Sequence, residues 1–249
     1  MSSNVKDVLQ APIIRFDSLD STNNRAAQMI DADTSEEGLT IVALEQTAGK
    51  GQRGNVWKDQ PAESLLMSIV LQPKVPIDAQ FSFSAAVAVA VATVIQDLEP
   101  ELNVCIKFPN DIIINDKKAA GILIENSLRG NLWTHAIVGT GINIHQRTFD
   151  GLPNATSLFL ATKKVWDMDV ILHLIRQKII EYTRGRNLDY YLKCYNDLLY
   201  KRGERQTFSE NGSAFSANVL NVNAAGQLVL QLEEGNIQTY PHGELSWVW

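Results

Sequence analysis

Residues 104–125 run VCIKFPNDIIINDKKAAGILIE. Two apolar pieces, Val104 to Phe108 and Asp111 to Asn115, flank Pro109-Asn110 and read as strands. Asn115-Asp116-Lys117 is a tight polar turn, so Asp111 to Ile124 reads as a β-hairpin. On such a hairpin Asp111 and Lys118 lie on adjoining strands near one pocket. A partly buried lysine there holds a carboxylate and a phosphate oxygen together. A carboxylate beside it positions Mg²⁺ or receives a proton. An exposed hairpin with a cross-strand ion pair fits the same residues.

Downstream, Leu132 to Ile144 is a further strand carrying Gly139-Thr140-Gly141-Ile142-Asn143. Glycine inside a strand weakens it and marks close approach of a ligand or of backbone; a packing bulge is the plainer alternative. Asn143 is placed to hydrogen-bond a base or a phosphate. Upstream, the apolar strand Leu39 to Gln46 runs into Thr47-Ala48-Gly49-Lys50-Gly51-Gln52-Arg53-Gly54-Asn55. Its glycines match a dinucleotide-binding loop by letter. However, Asn55 to Pro61 is no helix, and no GK[ST] follows for a Walker A loop. Lys50, Arg53 and Lys58 are unopposed by acids between 47 and 58, which suits a loop closing over phosphates. A solvated basic turn fits the segment equally well.

The remaining elements follow by pattern. Ile13 to Phe16 is a short strand, and Asp20-Ser21-Thr22-Asn23 looks like a helix start leading to a helix over Arg25 to Ile30. Ser64 to Leu71 is a buried strand, Asp78 to Leu98 an Ala/Val-rich helix, and Asp169 to about Thr183 an amphipathic helix, with more helix to Leu199. After Gly203, alternating segments at 205–209, 214–222, 227–232 and 236–240 read as a small antiparallel barrel.

Composition bounds the function. The chain has 249 residues, 45% hydrophobic and 20% charged, which is globular and long enough for a sizeable core. A net charge of −6 disfavours a broad nucleic-acid surface. Two cysteines, Cys105 and Cys194, make neither a disulfide framework nor a zinc site. No secretory leader is visible, and the apolar run Phe81 to Ile95 falls short of the roughly 20 residues a bilayer needs. A cytoplasmic location is expected. His135, His145, His173 and His242 lie in no metal or triad pattern and read as ordinary solvated or packed histidines.

Taken in order, DSTN at 20–23, EQTAGKGQRG at 45–54 with Trp57, KFPND at 107–111, KAAGILIE at 118–125 and GTGIN at 139–143 resemble the biotin–protein ligases. ATSL at 155–158 and GELS at 243–246 also look like family landmarks. The resemblance implies an α/β (α+β) fold: a mixed sheet with flanking helices, similar to class II aminoacyl-tRNA synthetases, then a C-terminal SH3-like β-barrel. The expected boundary puts the catalytic domain at 1–202 and the barrel at 203–249. The first motif starts near residue 17, leaving no room for the DNA-binding module some members carry, so a monofunctional ligase without DNA binding is expected.

The implied chemistry activates biotin with ATP as biotinyl-5′-AMP, with Mg²⁺ as a further expectation. The biotinyl group then passes to a lysine of a biotin carboxyl carrier protein of a carboxylase. By motif, Ser21, Thr22, Asn23, Gln46, Gly49, Gly121 and Leu123 contact biotin, and Lys118 bridges its carboxylate to the α-phosphate. Lys50, Gly51, Gln52, Arg53, Trp57, Asn110 and Asn143 serve the nucleotide. Lys118, Arg53 and Asp111 carry the catalysis, with Asp111 as the candidate Mg²⁺ ligand. No membrane association is implied, and a homodimer is compatible.

Two departures stand out. The family loop is often richer in arginine, as in GRGRRG, whereas this chain has Lys50 and Gln52; Gln52 is expected to contact the ligand by hydrogen bonds. Phe108 stands where tryptophan is usual and keeps an aromatic wall. A lipoate or octanoate–protein ligase shares the fold and a similar hairpin, but its loop resembles RR-x-x-GGG, which GKGQRG does not match. A non-catalytic biotin sensor needs no charge-balancing cations, so Lys118, Lys50 and Arg53 weigh against it.

Overall fold

The computed structural model describes residues 3–184 and 187–248. The central hairpin and its approach form three strands, β4 (Val104–Lys107), β5 (Asp111–Ile114) and β6 (Lys117–Arg129). β7 (Leu132–Asn143) returns along β6. With β1 (Ile13–Leu19), β2 (Thr40–Gln46) and β3 (Ser64–Leu71) they make a seven-stranded sheet in the order β1-β2-β3-β7-β6-β5-β4. β1 and β2 run parallel, and every other neighbouring pair is antiparallel. The parallel pair is joined by α2 (Thr22–Asp31), as such a connection requires a crossover. α2 starts at Thr22, three residues before the expected Arg25.

One face of the sheet carries the main core. α3 (Gln80–Leu98) lies there under α5 (Met168–Arg184) and α6 (Leu188–Asp197). With apolar neighbours on both sides, α3 needs no polar face, which explains its Ala/Val composition. With its leading 3₁₀ turn it spans 22 residues and is long and apolar enough to cross a membrane. The length argument made from sequence therefore fails. What places α3 inside this fold is its burial, with Phe83, Ala86, Val87, Ala90, Val91 and Ile95 all 1% exposed or less.

Two short helices were not expected, α1 (Ser3–Leu9) and α4 (Leu158–Thr162). α1 is docked by buried Arg176 of α5. Its guanidinium donates to the carbonyls of Val8, Leu9, Ala11 and Gly38, and to Thr40 Oγ1, at 2.8–3.3 Å. A charge buried without a carboxylate is tolerable because so many oxygens solvate it.

A second, five-stranded antiparallel sheet follows: β8 (Arg205–Glu210), β9 (Ser213–Val222), β10 (Gln227–Leu232), β11 (Ile237–Pro241) and β12 (Leu245–Trp247). Four of these match the expected segments within a residue or two, and β12 is additional. Phe208, Val219, Leu230 and Tyr240 belong to the same continuous core as α3 and the large sheet. At Gly226 (φ 74°) the β9–β10 turn lies against the Phe81 ring, where a Cβ would approach within 2.8 Å.

Candidate functional site

Strand register assembles the site. Lys107 pairs with Asp111, Asp111 with Gly121, Gly121 with Gly141, and Gly141 with Leu66. Directly opposed residues share a face, so this is one row across five strands. Lys118 lies three residues before Gly121, and plain alternation would put it on the other face. The β5–β6 register slips between Ile112 and Ile113, pairing Ile113 with Lys118 and leaving Ala119 without a partner in that ladder. That bulge turns Lys118 back to the face of Asp111. Its Nζ lies 2.6 Å from Asp111 Oδ1. The Lys118 main chain is held by Asn154 O and Thr156 N, at 2.7 and 2.8 Å.

The glycines of the row make room for other groups. A Cβ at Gly141 would meet the Trp57 indole at 2.6 Å, and one at Gly121 would meet it at 3.0 Å. The ring therefore lies across a paired-glycine floor. A Cβ at Gly139 would collide with Asn23 Oδ1. The register is regular at 139–141, so these glycines serve close approach and make no bulge.

The N-terminus of α2 reaches the same face. Ser21 is its N-cap residue, yet it makes no side-chain cap bond. Thr22 N–H and Oγ1 instead donate to Gln46 Oε1 at 2.8 and 3.1 Å. Ser68 Oγ donates to Asn23 Oδ1 (2.6 Å) and pairs with the Thr22 hydroxyl (2.7 Å), and Asn23 Nδ2 donates to Glu125 Oε2 (2.7 Å). Asn110 Nδ2 donates to Ile122 O at 2.6 Å, and Tyr195 OH anchors the Pro109 carbonyl at 3.0 Å.

These groups bound two adjoining cavities. The first, about 250 Å³, has a polar end made by Ser21, Thr22, Asn23 and Gln46. Lys50, Gly51, Gln52 and Asn110 line its flank, and Asp111, Lys118, Gly121 and Leu123 its other wall. The second, about 290 Å³, is lined by Phe149, Leu152, Pro153 and Ala155 together with Lys58, Lys107 and Asn143. The two share Val56, Trp57, Asp111 and Lys118. Trp57 Nε1, Thr140 Oγ1 and Gln52 Oε1 have no hydrogen-bond partner among the described residues.

Lys107, Asp111 and Lys118 put two cations around one acid. Burial lowers the Lys107 ammonium to about 8, with Lys118 adding to the fall and Asp111 opposing it. Lys50 Nζ lies 3.4 Å from Glu125 Oε1 at the rim. The excess positive charge suits anionic ligands.

Two expected site residues, Gly49 and Arg53, line neither of these cavities. Gly49 is buried in the closed base of its loop: Trp57 N donates to its carbonyl at 2.9 Å, and a Cβ would meet Trp57 O at 2.7 Å. Arg53, in left-handed backbone (φ 55°, ψ 37°), turns away from the first cavity and donates to the Gly243 carbonyl of the second sheet. Asn143 reaches the second cavity, although its amide donates to Thr156 O at 2.9 Å. Asp111, the expected Mg²⁺ ligand, is tied to Lys118, and no cluster of three metal-ligating side chains occurs among the described residues; a Mg²⁺ here would draw most of its ligands from nucleotide phosphates and water.

Sequence reasoning missed Ser68, Glu125 and His242. Ser68 carried a signal: a hydroxyl inside an apolar strand must find partners. Glu125 stood at the end of the KAAGILIE motif but was given no role. His242, read as an ordinary histidine, lines the first cavity from the second sheet and meets the Phe108 ring edge-on, 6.1 Å between centroids.

Residues 15–143 match the biotin/lipoate A/B protein ligase family. The chain is 29% identical over 248 residues to the bifunctional ligase/repressor BirA of Bacillus spizizenii, covering 94% of this chain and 74% of that protein. It is 37% identical over 127 residues to the biotin–[acetyl-CoA-carboxylase] ligase of Paracoccus denitrificans, about half of each chain (50% and 51%). Among solved structures, the biotin protein ligase from Aquifex aeolicus in complex with biotin and ATP superposes with a TM-score of 0.78 at 25% identity. That superposition covers 94% of this chain and 97% of that one.

Proposed function

The chain belongs to the biotin/lipoate A/B protein ligase family, and on that premise we propose that it is a biotin–protein ligase. It activates biotin with ATP as biotinyl-5′-AMP and passes the biotinyl group to a lysine of a carboxylase's biotin carboxyl carrier protein. The observation that carries this reading is Lys118, standing beside Asp111 where the two cavities join.

In this reading the polar end of the first cavity takes the ureido ring. Ser21, Thr22, Asn23 and Gln46 offer the donors and acceptors that ring needs, with Ser68 holding two of them in place. The valeryl chain runs over Gly121 and Leu123 towards Lys118. The second cavity takes the nucleotide, with Trp57 and Leu152 against the base, Asn143 in hydrogen-bonding reach and Lys107 facing phosphate. Lys50 and Gln52 lie along the first cavity on the phosphate side.

The first step joins two anions. A biotin carboxylate oxygen attacks the α-phosphorus, an O–P bond forms, and pyrophosphate leaves with the electrons of the bond it breaks. Lys118 neutralises both anions at the meeting point, so catalysis is positioning and electrostatics. The mixed anhydride must then be kept from water, which Trp57 and the closed 49–57 loop do. Magnesium enters only as a companion of the nucleotide phosphates. The reading places the protein in the cytoplasm, where ATP is at hand.

ATP–pyrophosphate exchange with Mg²⁺, offering biotin and lipoate separately, tests this. Exchange with biotin alone is expected. Exchange with lipoate alone would transfer the assignment to lipoate ligation, and no exchange with either would remove the enzymatic reading.

A further inference from the structure

We propose that a third cavity, bounded by β6, the first turn of α3 and the second sheet, is the route by which the acceptor lysine reaches the acyl carbon beside Lys118. This rests on the ligase reading above. A two-step transfer has three substrates, and the acceptor must arrive without displacing the nucleotide. The third cavity, about 450 Å³, meets the first one across Gln52, Asn110, Ile122 and His242. It shares no lining residue with the second.

Charge identifies the occupant. The first cavity is lined by Lys50 and Lys118, and the second by Lys58, Lys107 and Lys118. Among the described residues the third is lined by neither lysine nor arginine, and its one acid is Asp78, exposed at the mouth. Departing pyrophosphate needs cations along its path; the cavity lining offers none, and Arg53, behind His242 at the inner end, is already bonded to the Gly243 carbonyl. A lysine side chain finds the reverse: a carboxylate at the mouth for its ammonium, then Phe81, Ile122 and Ile124 for its methylenes. At the junction, burial and the nearby Arg53 guanidinium hold the His242 imidazole below its usual pKa, against the pull of Asp111. The imidazole is therefore neutral near pH 7 and adds no charge of its own against the incoming group, with Asp111 offsetting Arg53. There the ammonium gives up a proton to water. The amine nitrogen bonds to the acyl carbon, the acyl C–O bond breaks, AMP leaves with that electron pair, and the nitrogen's second proton passes to the departing phosphate or to water.

The test uses the full chain with a biotin carboxyl carrier domain as acceptor. Asp78→Lys reverses the charge at the mouth. Asn126→Trp fills the mouth where Asn126 Nδ2 now donates to Gln80 Oε1 at 3.1 Å; both positions are exposed, so neither variant loads the core. Biotin-dependent pyrophosphate exchange and biotin transfer to the carrier are measured on the same preparation. The transfer-to-exchange ratio is expected to fall at least tenfold in both variants, with a raised KM for the carrier in Asp78→Lys. Ratios within twofold of wild type in both would overturn the route while leaving the ligase reading intact. A raised KM for pyrophosphate with undiminished transfer would also overturn it, assigning the cavity to the leaving group. Absence of biotin-dependent exchange in the wild type would overturn the ligase reading and the route together.

Discussion

Lys107 shows how one side chain ties stability and ligand affinity to pH in opposite senses. It is 8% exposed, and burial lowers its ammonium to about 8 from an ordinary 10.5. Between those values the unfolded chain binds more protons than the folded one, so this group's contribution to stability rises with pH across that window. Below pH 8 the folded protein carries a buried cation at some cost, and that cation faces the proposed phosphate site. The KM for ATP is expected to rise on the order of tenfold as pH climbs through 8, the loss of one charged hydrogen bond, without unfolding. In Lys107→Met the KM starts high and stays flat; a wild-type profile in the mutant would refute the assignment. Lys118 and Asp111 were legible in the sequence as neighbours on one short hairpin, but the bulge that turns both to the same face was not. The contacts of Arg53 and His242 were not legible because each reaches across to the other sheet, whose docking no local pattern encodes.

Elements explain what single residues cannot. A pair of strands, β6 and β7, presents Gly121 opposite Gly141 and so makes a floor only a flat ring can cover. Gly141→Ala places a methyl group against the Trp57 indole, an overpacking of about 1–3 kcal/mol that the ring relieves by lifting away. Biotin affinity is expected to fall about tenfold or more, with a shift in tryptophan emission that shows the ring has moved. Unchanged emission and affinity would show that the ring does not need that floor. The strands were readable from apolar runs and turn residues. The helices of seven and five residues were not, because helices so short are stabilised by packing and leave little periodicity. The Asp-Ser-Thr-Asn run looked like a helix cap, and α2 does begin there. Its Ser and Thr oxygens, however, are spent on the cavity and on Gln46.

At the scale of the whole molecule, the two sheets share one core. Separate cores would melt separately, whereas a shared one makes each sheet's stability depend on the other. Urea unfolding followed by tryptophan emission, with Trp133 on the large sheet and Trp247 on the second, is expected to coincide with loss of far-ultraviolet circular dichroism. Two resolved transitions would show that the second sheet melts independently. The composition and the β8–β11 turns made that sheet visible in the sequence, but its role at the cavity became legible only when Arg53 was found bonded to Gly243.

That bond also has a consequence for how the protein is made. Its two ends are 190 residues apart in the chain. At about 5–20 residues per second, on the order of 10–40 s of synthesis separates them. A nascent chain therefore exposes the basic loop and the polar pocket well before the residues that complete their rim exist. Any ligand caught in that interval meets a site still open to solvent on one side.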